Sequence, residues 1–396
     1  MTQLSVFNRA FSETLAQRLS SFTPLIQIIC GPRQVGKTTA IKAFLEKYPD
    51  RSKYLTFDNP GNNPHELIRF EWEKITRIPG HKIIALDEIQ NVPHWAALIK
   101  ELYDSERMRR ELSVAILGSS TIDILLKGEE SLLGRFELIR APHWSLYEMS
   151  SHCQWNLNDY LKFGGYPIIG DLYKAKSPEE QLRCANFIRD AIIEPIITKD
   201  ILSLQSVVNT ALFRQLLQIS LSLPCEEISF AKLMGQLSDK TASATVKNYL
   251  ELMEKAFILK LLYRYSGGNI RKRTSSPKLV PLAPALIHAF NNADRIDTDS
   301  SWFGHVLEAT VISCFANMGY QLYYWSDSRK DIDLVIESDR FLCGVEIKSG
   351  KNFDFGGLKA FQRNFPKART LMIDREFATV LMMSESPRET FEKSLK

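Results

Sequence analysis

One stretch of the chain has the spacing of a phosphate-binding loop, GPRQVGKTTA at residues 31–40. In the pattern GxxxxGK[ST], backbone N–H groups wrap the phosphates of a nucleotide, the lysine reaches the β- and γ-phosphates, and the hydroxyl ligates Mg²⁺. The pattern has this meaning between a strand and a helix; elsewhere it is a glycine turn. The apolar run at 25–30 has strand length and the residues after Gly36 have helical spacing. We therefore predict that ATP and Mg²⁺ bind at Gly31, Pro32, Arg33, Gln34, Val35, Gly36, Lys37, Thr38 and Thr39.

A second group of polar residues follows the apolar run IIAL, in LDEIQ at 86–90. In open α/β sheets, ligands collect at the C-terminal edge of the strands. At that edge Asp87 would hold Mg²⁺ together with Thr38, and Glu88 would polarise the attacking water. An acidic pair at a strand end is alternatively an exposed turn, but the upstream loop favours the catalytic interpretation.

Two further candidates lie downstream. Ser119 or Ser120, in GSS at 118–120, could hydrogen-bond the γ-phosphate or the water, and a polar strand end is the alternative. Arg135, in SLLGRF, could stabilise transition-state charge from its own subunit or from a neighbour's. A surface arginine explains the same residue equally well.

The elements that must position these residues alternate between strands and helices. Apolar runs of strand length occur at 25–30, 52–58, 82–87, 114–120 and 136–141. Strands that alternate with helical segments predict a parallel sheet covered by helices. The expected fold class is therefore α/β and begins with a P-loop NTPase sheet.

The motifs GPRQVGKTT, LDEIQ, GSS with SLLGRFELI, and FGGYP at 163–167 together resemble a large prokaryotic family of AAA-type ATPases. The resemblance extends over nearly the whole chain. It implies a C-terminal α/β domain with a restriction-endonuclease-like core. It also implies that six residues occupy positions that touch nucleotide: Arg33, Lys37, Thr38, Asp87, Glu88 and Arg135.

The middle of the chain predicts a winged helix, because two helices, a strand and a glycine turn follow one another. The first helix spans residues 230–237, and the second has four apolar residues at core spacing: Val246, Tyr249, Leu250 and Met253. The exposed face of the second helix would meet DNA through Lys240, Thr241, Ser243, Thr245 and Lys247. Winged helices also serve as lids or as protein-docking modules.

The basic run IRKRTSSPK at 270–278 follows the predicted wing. Its cations could neutralise DNA phosphates. They are Arg271, Lys272, Arg273 and Lys278. A solvated loop is the alternative.

The segment at 331–350, DIDLVIESDRFLCGVEIKSG, indicates two strands around a turn at 338–340. If the hairpin folds about the last bond of that turn, Asp333 lies opposite Glu346, and Lys348 shares the face of Glu346. Like charges that oppose each other destabilise a hairpin unless something binds between them. A divalent metal would resolve the conflict.

An amphipathic helix predicted in WFGHVLEATVISCF would bring Glu308 toward the same point. Asp and Glu-x-Lys on adjacent strands, with an upstream helical Glu, resemble the PD-(D/E)XK nuclease core. In that core the carboxylates, here Glu308, Asp333 and Glu346, hold Mg²⁺, and the lysine orients water or stabilises charge on the phosphate. The chain departs from the family at Ala283-Pro284, where members usually have an aspartate at a strand end.

The length, charge and cysteine content of the chain limit its domain number, partners and location. A chain of 396 residues is expected to form two or three domains, which we place at 1–165, 166–280 and 281–396. A net charge of +4 allows a DNA partner without requiring one. There is no apolar run of membrane-spanning length, and the six cysteines are scattered. We therefore expect a cytoplasmic protein with no membrane partner, which could form a homo-oligomer.

The leading interpretation is a Mg²⁺-dependent ATPase whose nucleotide state controls a nuclease-like domain that acts on DNA. The first alternative is a regulatory ATP switch that binds nucleic acid or protein without cleavage. The second is a signalling or defence scaffold assembled through the middle helices. The intact set of Asp333, Glu346 and Lys348 favours the leading interpretation.

Overall fold

The structure is a computed structural model, and it describes residues 9–118, 132–201, 207, 209–237, 242–267, 276–327, 330–350 and 354–395. The chain divides into two compact units. Unit 1 consists of Met1–Pro142 and Pro195–Leu204, and unit 2 consists of His143–Glu194 and Gln205–Lys396. A short segment far along the chain therefore belongs to the N-terminal unit.

Unit 1 is built on a five-stranded sheet. Its strands are β1 (Ile26–Cys30), β2 (Ser52–Thr56), β3 (Lys82–Asp87), β4 (Leu112–Leu117) and β5 (Phe136–Arg140). Their order is β2-β3-β4-β1-β5, and every neighbouring pair is parallel. Strands β1, β3 and β4 are buried along their whole length, as expected of central parallel strands covered on both faces. The predicted α/β class with a P-loop NTPase sheet is confirmed.

Helices cover this sheet and fix the ends of its strands. They are α1 (Ala10–Leu19), α2 (Lys37–Leu45), α3 (Pro64–Thr76) and α4 (Trp95–Glu106), with 3₁₀ turns at Ile89–Asn91 and Arg107–Arg109 and a π-helical segment at Ile196–Ile201. One core cluster joins Trp72 of α3 and Trp95 of α4 to Ile84 and Ile116 of the sheet. Close packing of this kind holds the C-terminal edge of the sheet in one geometry.

The helices of unit 2 begin with α5 (Leu146–Cys153), α6 (Leu157–Phe163), α7 (Pro167–Leu172), α8 (Pro178–Phe187), α9 (Thr210–Ser222), α10 (Phe230–Gln236) and α11 (Ser243–Lys255), with a π-helical segment at Ile188–Ile193. They continue with α12 (Pro284–His288), α13 (Arg295–Thr298), α14 (Ser300–Asn317), α15 (Gly356–Asn364), α16 (Arg375–Met382) and α17 (Pro387–Ser394). Reciprocal side-chain hydrogen bonds cap α5 through Ser145 and Glu148, which satisfies backbone donors at its start. The predicted limits of α10 agree with the structure to within one residue. The four core positions expected on α11 are all buried.

Unit 2 also contains a six-stranded sheet. Its strands are β6 (Leu259–Arg264), β7 (Lys278–Pro281), β8 (Gln321–Ser326), β9 (Asp331–Glu337), β10 (Leu342–Ile347) and β11 (Arg369–Ile373). The order is β11-β10-β9-β8-β6-β7; the β10–β11 and β6–β8 pairs are parallel and the other pairs antiparallel. The sheet combines strands from the middle and C-terminal regions, and the domain limit expected at residue 280 falls inside β7.

Candidate functional sites

The loop between β1 and α2 has the backbone that a phosphate cradle needs. A Cβ at Gly31 would lie 2.0 Å from the carbonyl oxygen of Ala141, so only glycine fits where the loop leaves β1. Gly36 has φ of 96° and Gln34 has φ of 58°, both in the left-handed region. Left-handed residues on either side of Val35, which is not left-handed, give an alternating backbone that is typical of concave sites for anions. The predicted loop residues thus lie at the C-terminal edge of β1, ahead of α2.

Lys37 is the first residue of α2, and its side chain is buried in the loop. Its Nζ donates to the carbonyl oxygens of Gly31 at 2.9 Å and Pro32 at 2.6 Å. Burial lowers the pKa of Lys37 to about 8, against the opposing influence of Glu88 and Asp87. A buried ammonium of this kind gains from the approach of an anion.

Asp87 ends β3 beside the start of α2, and three donors fix its carboxylate. Thr38 Oγ1 and the hydroxyl of Tyr54 both donate to Oδ2 at 2.7 Å, and the backbone N–H of Glu88 donates to Oδ1 at 3.0 Å. Hydroxyl and carboxylate oxygens are the hard ligands that Mg²⁺ prefers, so the donor set fits the metal. The sequence did not identify Tyr54, because no local pattern shows which side chain of β2 reaches β3.

Glu88 follows Asp87 with φ of 53°, a left-handed conformation that is uncommon for a residue with a side chain. Gln90 Nε2 donates to Glu88 Oε2 at 2.5 Å. The strand end therefore turns sharply at Glu88, and Gln90 steadies the carboxylate. This arrangement suits a residue that must hold a fixed direction next to the phosphate loop.

Arg33 in the loop forms a bidentate ion pair with Asp200. Its Nε donates to Oδ2 at 2.8 Å, and its Nη2 donates to Oδ1 at 2.5 Å. Asp200 is buried. It lies in the π-helical segment Ile196–Ile201, which belongs to unit 1 although it follows residues of unit 2 in the chain. A second arginine, Arg9, donates to the carbonyl oxygens of Val35 and Pro142, each at 2.9 Å. The loop motif predicts a role for Arg33 but for neither Asp200 nor Arg9, since both contacts join distant parts of the chain.

Arg135 lies away from the phosphate loop. It precedes β5, and its carbonyl accepts from the backbone N–H of Ile26 at the start of β1, whereas the loop follows the end of β1. Five residues of parallel strand, roughly 16 Å, separate the two edges of the sheet. The guanidinium instead binds Asp104 of α4, at 2.7 and 2.9 Å. A role for Arg135 in its own subunit's site is therefore not supported, and a role at a neighbour's site stays a prediction.

Three other residues were predicted at the nucleotide site: Thr39, Ser119 and Ser120. Thr39 is exposed in the first turn of α2. Ser119 and Ser120 lie outside the described residues. The structure thus brings together the loop, Asp87 and Glu88, and adds Tyr54, Gln90 and Asp200.

The C-terminal hairpin has the predicted register. Leu334 pairs with Val345 in the antiparallel β9–β10 ladder, and the next step of the same register places Asp333 opposite Glu346. Lys348 Nζ lies 2.6 Å from Glu346 Oε1, so the two share a face as expected. Asp333 Oδ2 accepts from the backbone N–H of Ile347 at 2.8 Å.

Glu308 reaches the same group of charges, but on a helix of a different kind from the one predicted. Helix α14 is buried almost all round, because apolar side chains occupy several of its faces and unit 2 packs against each of them. Its Glu308 Oε1 lies 3.2 Å from Lys278 Nζ. Lys278 was expected to neutralise DNA phosphates or to lie in a solvated loop; instead it is largely buried at the start of β7 and forms an ion pair.

We call Glu308, Asp333 and Glu346 the carboxylate cluster. Burial and the charge of Asp333 raise the pKa of both Glu308 and Glu346. Burial alone would lower the pKa of Lys278, but Glu308 and Asp333 raise it. These shifts indicate that the carboxylates and lysines form one electrostatic network.

The divalent metal expected at this cluster stays a prediction. Within the described parts of the chain, no three His, Cys, Asp or Glu side chains are placed to hold a metal ion. The physical reason is that Lys278 and Lys348 already contact Glu308 and Glu346. Glu346 Oε2 is buried and has no hydrogen-bond partner among the described residues, so one oxygen of the cluster is left over.

The predicted DNA-binding face is described only in part. Ser243 is exposed at the start of α11, Thr245 is partly buried, and Lys247 lies 4.0 Å from Glu251. Five residues lie outside the described residues: Lys240, Thr241, Arg271, Lys272 and Arg273. The winged-helix and DNA-contact assignments stay predictions. No helix in the described ranges has the length and apolar character needed to cross a membrane.

Comparison with known proteins supports the N-terminal assignment. Residues 23–150 match the family model of an AAA domain. Residues 154–297 and 303–388 match two domains of unknown function, DUF8612 and DUF4143. Most of unit 1 is therefore similar to an AAA domain of P-loop ATPases. The matches in unit 2 do not show the restriction-endonuclease-like core.

The chain is also similar to uncharacterized proteins of Mycobacterium bovis and Mycobacterium tuberculosis. Each is 26% identical over 331 residues, which cover 82% of this chain and 70% of the relative. Among solved structures, the Walker-type ATPase PABY2304 of Pyrococcus abyssi is 14% identical, with a TM-score of 0.48, over 72% of this chain and 96% of that one. At this level of similarity the solved structure carries no argument about activity.

Proposed function

We propose that this chain is a Mg²⁺-dependent ATPase whose hydrolytic site combines the phosphate loop with Asp87 and Glu88. The observation that carries the proposal is the 2.7 Å hydrogen bond from Thr38 Oγ1 to Asp87 Oδ2. It joins the two motifs in which a P-loop ATPase holds its metal. Neither motif alone would distinguish a nucleotide site from a glycine turn and an acidic strand end.

Each residue then has a defined role. The loop backbone and Lys37 bind the β- and γ-phosphates, and Thr38 and Asp87 hold Mg²⁺. When bound, Mg²⁺ neutralises charge on the phosphates during transfer. Glu88 orients and polarises the attacking water, and Gln90 holds Glu88 in place.

Measurement of nucleotide binding and turnover on the full chain tests this proposal. Lys37→Ala is expected to lose ATP binding, because it removes the buried ammonium that contacts the phosphates. Glu88→Gln is expected to retain binding and to lose turnover by at least about 100-fold, the range of a lost general base. Glu66→Gln, on an exposed position of α3, is the matched control and should behave as wild type. Equal turnover in wild type and Glu88→Gln would remove Glu88 from the mechanism.

For unit 2, DNA cleavage under nucleotide control stays a prediction based on Asp333, Glu346 and Lys348. The alternative is a switch that binds nucleic acid or protein without cleavage. One observation favours the alternative, namely the ion pair that Lys278 forms with Glu308.

Incubation of the full chain with plasmid and single-stranded oligonucleotides, with and without ATP and with Mg²⁺ or Mn²⁺, separates the two. The switch predicts intact substrates in every condition. Cleavage by wild type that Asp333→Ala abolishes, while ATP hydrolysis survives, would establish the nuclease instead.

A further inference from the structure

The charge balance of the carboxylate cluster points to the cation that it holds. Glu308, Asp333 and Glu346 interact with one another, and each is partly or wholly removed from water. Three carboxylates that are largely shielded from water need positive charge close by, because desolvation of an unpaired anion is costly. A divalent metal and a pair of lysines are two different solutions, and the contacts of Lys278 with Glu308 and of Lys348 with Glu346 favour the second.

Lys278 is held at the cluster by its backbone as well as by its side chain. In β7 it pairs with Leu262 of β6, and on its other side it forms a β-bridge with Glu227. Its Nζ lies 5.9 Å from the ring centroid of Tyr324 and 3.2 Å from Glu308 Oε1. A lysine fixed on both sides by strand pairing is a built part of the cluster and not a passing surface contact.

The lysines contact one carboxylate oxygen of Glu308 and one of Glu346. Lys278 contacts Glu308 and also interacts electrostatically with Asp333. Lys348 contacts Glu346, and the backbone N–H of Ile347 donates to Asp333. A divalent ion among these carboxylates would lie close to two ammonium groups, and that repulsion opposes its binding.

We propose that Lys278 is the resident cation of the carboxylate cluster and takes the place of a divalent metal. Unit 2 then holds a cluster whose carboxylates are paired with lysines in place of a metal-dependent phosphodiesterase centre. The proposal is independent of ATP hydrolysis in unit 1, since it concerns only residues of unit 2. It assigns to Lys278 a role that its position in a basic run of the sequence does not suggest.

Mn²⁺ binding to the nucleotide-free full chain, followed by the electron paramagnetic resonance signal of free Mn²⁺, tests the proposal. Four proteins are compared: wild type, Asp333→Asn, Lys278→Met, and the Lys278→Met/Asp333→Asn double variant. Wild type and Asp333→Asn should bind the same amount of Mn²⁺. Lys278→Met keeps the length of the side chain without its charge, and it should bind one additional equivalent that the double variant loses. Any binding in unit 1 is common to all four proteins and cancels.

Two results would overturn the proposal. One is a loss of one Mn²⁺ equivalent from wild type on Asp333→Asn substitution, which would show a native metal site. The other is a folded Lys278→Met variant that gains no Mn²⁺. If Lys278→Met fails to fold, the amounts of Mn²⁺ bound by wild type and by Asp333→Asn still test whether the cluster holds a native metal. Neither of these two proteins carries the Lys278 substitution.

Discussion

The hydroxyl of Tyr54 donates a 2.7 Å hydrogen bond to Asp87 Oδ2, the oxygen that also accepts from Thr38. Tyr54 lies on β2 and Asp87 ends β3, so the contact crosses from one strand to its neighbour. A group that binds a metal-holding carboxylate sets the direction of that carboxylate and its affinity for the metal. Tyr54 is therefore a positioning residue for the proposed Mg²⁺ site.

Tyr54→Phe removes this donor and leaves the ring in place. We expect the Mg²⁺ concentration for half-maximal ATP hydrolysis to rise about tenfold, the lower end of the effect of lost outer-shell partners. Saturating Mg²⁺ should restore most of the turnover, since Thr38 and Asp87 remain. Titration of Mg²⁺ at fixed ATP measures the shift, and Tyr48→Phe is the control. An unchanged Mg²⁺ requirement in Tyr54→Phe would contradict the assigned role.

The ion pair between Arg33 and Asp200 predicts coupled effects on ATP affinity. Asp200→Ala should weaken ATP binding about tenfold, because Arg33 loses the two hydrogen bonds that hold it over the loop and a charged hydrogen bond contributes about 1.5 to 3 kcal/mol. Arg33→Ala should weaken binding at least as much. The double variant should bind no more weakly than Arg33→Ala alone, since Asp200 acts through Arg33. Equilibrium binding of a fluorescent ATP analogue measures all three.

Asp58 provides a matched control for this cycle. It is an exposed carboxylate whose charge also acts on Arg33. Asp58→Ala should change ATP affinity by less than about twofold, because Asp58 acts on Arg33 through its charge and not, among the described contacts, through a hydrogen bond. Additive losses in the Arg33→Ala/Asp200→Ala double variant would show that the two residues act separately.

The pattern of apolar residues along the sequence was sufficient to predict the strands that position the nucleotide site. The apolar run before Asp87 and the run before Gly31 each fill one central strand, and both strands end at the motif that they position. The hairpin register could also be predicted, because the position of the turn alone determines that Asp333 faces Glu346.

Contacts between distant residues could not be predicted in this way. Asp200 reaches Arg33 across 167 positions, and no periodicity in the sequence records that pairing. Lys278 looked like the end of a basic loop, but its backbone pairs with β6 and with Glu227 and is therefore part of the sheet of unit 2. The pattern of α14 could not reveal how many of its faces the rest of unit 2 covers.

The position of Arg135 predicts that it contributes little within its own subunit. Arg135→Ala should hydrolyse ATP within about twofold of wild type, because the arginine lies at the opposite edge of the sheet from the loop. An arginine that stabilises the transition state would instead contribute about 10³ to 10⁵ in rate. Steady-state turnover of Arg135→Ala, with Arg109→Ala as an exposed control, distinguishes the two.

A large loss in Arg135→Ala would point to action on a neighbouring subunit. In that case a mixture of Arg135→Ala with Lys37→Ala subunits should recover part of the turnover, since a competent site can form between them. No recovery from subunits shown to mix would leave Arg135 a structural role through Asp104.

His288 on α12 is a buried histidine whose neutral form is fixed by both ring nitrogens. Nδ1 lies 2.7 Å from the carbonyl oxygen of Lys162 and must donate to it, whereas Nε2 accepts from the indole N–H of Trp302 at 3.2 Å. A proton on Nε2 would face the Trp302 donor. Burial lowers the pKa of His288 to about 4, against the hydrogen bond to Lys162.

This arrangement predicts a loss of stability in mild acid. Between pH 6.5 and 4 the unfolded chain protonates His288 while the folded chain keeps it neutral, so the unfolded state binds more protons and stability falls as pH falls. A difference of 2.5 pKa units corresponds to about 3 kcal/mol across that window, with little further change from this group below pH 4. His288→Gln should show a correspondingly flatter dependence of unfolding free energy on pH, and His305→Gln, at an exposed position of α14, should keep the wild-type slope. Urea unfolding followed by circular dichroism at pH 7, 5.5 and 4.5 measures all three proteins. If the unfolding free energies of wild type and His288→Gln fall equally with falling pH, His288 does not determine the acid sensitivity of unit 2.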